Sequence, residues 1–66
     1  MNFYIGTMFQ DLDKNVYQIM DVKYGNSHSQ YPGTYLCSCL EGNNKGREMW
    51  VMRSTLATTK LKEVLK

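Results

Sequence analysis

The sequence is poor in the residues that most directly announce a chemistry. Its 66 residues hold one histidine, one proline, one tryptophan, two cysteines and a single alanine, Ala57. Zinc needs three or four ligands, and Cys37, Cys39 and the lone His28 do not supply a closed set, so no metal and no cofactor is expected. His28 has no orienting carboxylate or activated nucleophile in register with it, and nothing selects Ser27 or Ser29 for that role. With little room for a pocket in so short a chain, the protein is expected to be non-enzymatic. No apolar run approaches the ~20 residues that span a bilayer. The opening "MNFYIGTMFQD" lacks a basic leader and a long apolar stretch, so no signal peptide is expected. Thiols without an export signal point to a reducing, cytoplasmic setting. The initial Met fits a complete small open reading frame of the kind a compact genome such as a phage carries. The formal net charge is only +2, and the basic residues are scattered among acidic ones. A dedicated duplex binder carries a stronger, clustered positive patch, so nucleic-acid binding is permitted but not demanded.

What is present favours strands. Tyr, Val, Ile, Phe, Trp and Thr are frequent, and turn signals recur at short intervals, as in a small all-β domain. Strands are expected at about Phe3–Gln10, Val16–Tyr24, Thr34–Glu41 and Arg47–Arg53. "DLDKN" (residues 11–15), "GNSHSQYPG" (25–33) and "GNNKG" (42–46) read as the turns between them. In the last segment, a short helical turn near 54–57 and a closing strand from about Lys60 to Leu65 are expected, with a terminal helix as the alternative. One domain of this length buries only ~60% of the surface its unfolded chain exposes, so self-association is a live expectation.

Two local patterns are read as turns. "DLDKN" has oxygens at Asp11, Asp13 and Asn15, but Val16 and Val22 stand where a calcium loop needs Gly and Glu. "GNNKGR" lacks the spacing of a phosphate loop and lies between strands. Cys37 and Cys39 are two apart in a strand, ~6.6 Å, with side chains that do not converge, so they are expected to pack as small hydrophobes without a disulfide.

The hairpin around "GNNKG" allows two registers. With a five-residue loop, Cys39 opposes Met49 and Cys37 opposes Val51, so these four share a face while Leu36, Leu40, Trp50 and Met52 share the other. With a loop one residue shorter, the cysteines join Trp50 and Met52. In both cases each face carries several large apolar groups, whereas a sheet with one wet face alternates apolar with polar. Both faces are therefore expected to be covered, by the chain itself or by a second molecule.

Four strands, a short turn and a final strand resemble the small SH3-like barrels, the group that includes Tudor modules. The residues that carry the resemblance are "IGTMF", the "GNNKG" hairpin, Trp50 and "KLKEV". The acidic-aromatic "ALYDY" stretch of SH3 domains is absent, and no four-residue aromatic cage of the Tudor kind is evident. The resemblance implies a barrel of about five strands that acts as a binding module. An OB-like barrel is the alternative topology.

The aromatic residues are more than a thin core can hide, which points to an interface. Trp50, Met52 and Arg53, with Tyr31 or Tyr35, are the expected contact for a protein partner. A nucleic-acid partner is the alternative, with Lys45, Arg47 and Arg53 on phosphates and the aromatics on bases. A homodimer is compatible with both.

Overall fold

The computed structural model describes residues 3–26, 28 and 30–64. They form β1 (Met8–Gln10), β2 (Val16–Lys23), β3 (Thr34–Glu41), β4 (Glu48–Met52), the short helix α1 (Arg53–Thr58) and β5 (Lys62–Val64). All strand pairs are antiparallel, in the order β4-β3-β2-β1-β5. The helical turn and the closing strand are thus both present, and the alternative of a terminal helix is not what forms. Leu65, Ser27 and Ser29 lie outside the described residues. β4 and β5 stand at opposite edges, so the sheet is open where the expected barrel requires closure.

The first strand is shorter than expected. It begins at Met8 because Tyr4–Thr7 form a turn: the Thr7 N–H donates to the Tyr4 carbonyl at 3.0 Å, and Gly6 takes φ +94. "DLDKN" is a polar turn, as read. Asp11 Oδ1 accepts from the backbone N–H groups of Asp13 (3.0 Å) and Asn15 (2.9 Å), while Lys14 adopts φ 66.

A bulge sets the β3–β4 register. The Gly46 N–H donates to the Cys39 carbonyl (3.0 Å), and the Cys39 N–H donates to the Arg47 carbonyl (2.8 Å), so two residues face one. Gly46 sits at φ +89, the left-handed position such a bulge requires. Cys37 therefore opposes Met49, Leu36 opposes Trp50 and Tyr35 opposes Val51. This is a slide of two residues from the first expected register. Because side chains alternate with period two, an even slide leaves the faces unchanged. A second irregularity, at Met20, lets Ile19 oppose Cys37 and Asp21 oppose Leu36, which returns Val22 to the same face as Tyr35.

One face is the core. Phe9, Ile19, Tyr35, Cys37 and Leu56 are buried together, and Phe3, Tyr17, Val22, Val51 and Leu61 pack against them. Phe9 stacks on Tyr17, with ring centroids 5.6 Å apart, and Phe3 meets Tyr35 edge-on at 5.7 Å. At the hairpin's far end, Gly42 takes φ +109, and a Cβ there would collide with the side chain and Cα of the buried Asn15, so only glycine fits.

Candidate functional site

Alternation in β4 separates residues that are neighbours in sequence. Met49 and Val51 turn to the core face, while Glu48, Trp50 and Met52 turn to the other. On that outer face Trp50 stays 44% exposed, Met52 59% and Met20 47%, and Leu36 lies directly opposite Trp50. Polar residues surround this apolar island. Thr34 and Lys23 lie across from Met52, Asp21 from Leu36, and Ser38 and Gln18 from Glu48. The Lys23 ammonium stands 4.6 Å from the centroid of the Trp50 ring. The outer face is thus apolar, as expected, but no part of the described chain covers its centre.

Arg53 follows Met52 and belongs to the opposite side. Its backbone N–H donates to the Gly33 carbonyl (2.8 Å), and its side chain turns into a cleft of about 360 Å³ at the loop end of the sheet. Phe3, Tyr4, Tyr24, Tyr31 and Tyr35 all line this cleft, with Pro32, so the fold gathers an aromatic cluster where the sequence showed no cage. A guanidinium already lies on two of its rings: Arg53 Cζ is 4.8 Å from the Tyr31 centroid and 5.7 Å from that of Phe3. Tyr31 is exposed, as its place beside Pro32 suggested, and Tyr4 is more exposed still. Tyr35 is fully buried and forms the floor, its hydroxyl accepting from Arg53 Nη1 at 2.7 Å.

The expected contact set therefore divides into three. Trp50 and Met52 lie on the outer face, Arg53, Tyr31 and Tyr35 in the cleft, and Lys45 and Arg47 at the far end of the hairpin. Lys45 and Arg47 are exposed there, with Glu41 and Glu48 also exposed nearby in the chain. Sequence reading missed Phe3, Tyr4 and Tyr24 in the cleft and Met20 and Lys23 on the outer face. Phe3 and Tyr4 are neighbours in the chain and Tyr24 lies 20 residues on; backbone bonds between the N-terminal turn and β2, Gly6 N–H to the Ile19 carbonyl and Ile19 N–H to the Thr7 carbonyl, bring the two segments together.

Both cysteines are free and buried on the core face, and burial raises the Cys37 thiol from 9.0 to about 11. Among the described residues no group of three or more His, Cys, Asp and Glu is arranged to hold a metal ion, and no helix is long and apolar enough to cross a membrane. No known protein family, curated protein or solved structure matches this chain.

Proposed function

We propose that the protein is a small non-enzymatic module that acts by binding another protein, as an inhibitor, adaptor or assembly component, in a reducing cytoplasmic setting. The observation that supports this is the outer face: an apolar centre of exposed Trp50, Met52 and Met20, with half-buried Leu36 opposite Trp50, within a polar rim. Protein contacts have this anatomy, and Trp and Met are enriched in them. The free edge of β4 adds to it. Arg53 bonds inward to Gly33 and Arg47 to Cys39, so by alternation the backbone groups of Glu48, Trp50 and Met52 point outward, and among the described residues no strand pairs with them. Such an edge is a template for a partner strand. The strand order, with a short helix before β5 and β5 returning to β1, supports reading the module as SH3-like with its sheet left open.

A pull-down from the native host followed by mass spectrometry would identify the partner. Titration with that partner should then show Trp50→Ala weaker by ~2 kcal/mol or more, as expected of a central aromatic anchor. Unchanged affinity in a variant with native circular dichroism would remove Trp50 from the interface.

A nucleic-acid partner is the second reading. The cation–aromatic pairs Lys23–Trp50 and Arg53–Tyr31 favour it, since single-strand binders combine stacking with charge. Asp21 and Glu48 interrupt any basic stripe on the outer face. Its signature would be steep salt dependence, and no binding to DNA or RNA at low salt would end it.

A further inference from the structure

We infer that the aromatic cleft is a second binding site, separate from the outer face, for an acidic side chain flanked by an apolar residue in a peptide segment of a protein partner. This rests on the reading above only in taking the ligand to be a protein. The argument starts from Arg53. Among the described residues, those lining the cleft include this one cation and no acidic group. Its guanidinium has five N–H donors, and the described side-chain bond uses one of them, to the Tyr35 hydroxyl. Arg53 is half-buried as a residue, and its guanidinium lies over the Tyr31 and Phe3 rings. A cation partly removed from water with no anion beside it among the described residues gains when a carboxylate arrives.

The charge count selects the ligand. A guanidinium offers a planar fork that matches one carboxylate with two parallel hydrogen bonds. A nucleic-acid strand needs a series of cations along its phosphates, and among the described residues the cleft holds one. The remaining walls, Tyr24, Tyr31 and Pro32 among them, suit an aliphatic or aromatic neighbour of the carboxylate. Phe3 braces Tyr35 edge-on and Tyr35 fixes the guanidinium, so little ordering is left to be done on binding.

The test is an amide-shift titration of the ¹⁵N-labelled protein with acetyl-Leu-Glu-Phe-amide in the millimolar range. Shifts should concentrate on the Arg53 side-chain N–H and the backbone of Tyr24 and Tyr31. The same peptide with Gln in place of Glu should bind at least fivefold more weakly, and Arg53→Lys should weaken the acidic peptide to a similar degree. Should Arg53→Lys fail to fold, the comparison of the two peptides on the unaltered protein decides. Equal binding of both peptides overturns the inference, as does the absence of shifts at the cleft. Shifts at the cleft from oligothymidylate but not from the peptide also overturn it and assign the cleft to nucleic acid. Peptide shifts confined to the surroundings of Trp50 overturn it while leaving the protein-binding reading intact. Conversely, peptide shifts at the cleft together with unchanged affinity of Trp50→Ala for the captured protein partner support the inference and remove the outer face.

Discussion

Cys37 stands directly opposite Ile19 on one side and Met49 on the other, 1% exposed, with a thiol raised to about 11. Only a thiolate is an effective nucleophile, so burial makes this cysteine a packing group. Iodoacetamide at pH 8.5 should leave Cys37 unlabelled in the folded protein and modify it once urea unfolds the chain. Mass spectrometry after timed quenching reads this, and fast labelling of the native state would contradict it. The sign of the pH effect follows from the same shift. The unfolded thiol ionises from about 9 and the folded one near 11, so the stability that Cys37 contributes is whole below pH 9 and is lost as pH rises toward 11. The expectation of a packed Cys-Ser-Cys needed only the strand period and the missing partner ligands, which is why it was legible without coordinates.

At the scale of elements, α1 is the weakest by its own means. It has six residues, its N-cap is Met52 with no side-chain hydrogen bond, and its first turn carries no acidic residue. A helix this short does not hold alone in water. What holds it is Leu56, its one buried side chain, set on the core face of the sheet. Leu56→Ala should cost ~2–3 kcal/mol in urea unfolding. A loss below half a kilocalorie would show that the helix is not anchored there. The limits of β3 were legible because Gly33 and Gly42 bracket a run, Thr34–Glu41, that has no glycine or proline within it. The start of β1 was not, since the left-handed turn at Gly6 interrupts a run that reads as continuous strand. The hairpin register was also hidden, because Gly46 serves the bulge and not the loop. The grouping of the site could have been sharper: strict alternation already puts Trp50 and Met52 on one side and sends Arg53 to the other. The cleft itself depends on pairing between distant segments, which no local pattern encodes.

For the molecule as a whole, the thin core is the governing fact. Among the described residues seven apolar side chains are buried, in a body 36 × 21 × 21 Å. Unfolding exposes little new surface, so the urea m-value should lie near ~1 kcal/mol/M, the low end for small proteins. If the outer face awaits a different protein, the midpoint will not move with protein concentration. A midpoint that rises with concentration, or a dimer in sedimentation, would make a second copy the occupant of that face. The placement of the only tryptophan then has a spectroscopic consequence. The indole lies under the Lys23 ammonium on the water-facing side of the sheet, away from the packed interior. Its emission will change little when the chain melts and a good deal when something settles on it. In this protein, intrinsic fluorescence is a gauge of occupancy, and tyrosine near-ultraviolet dichroism is the gauge of folding.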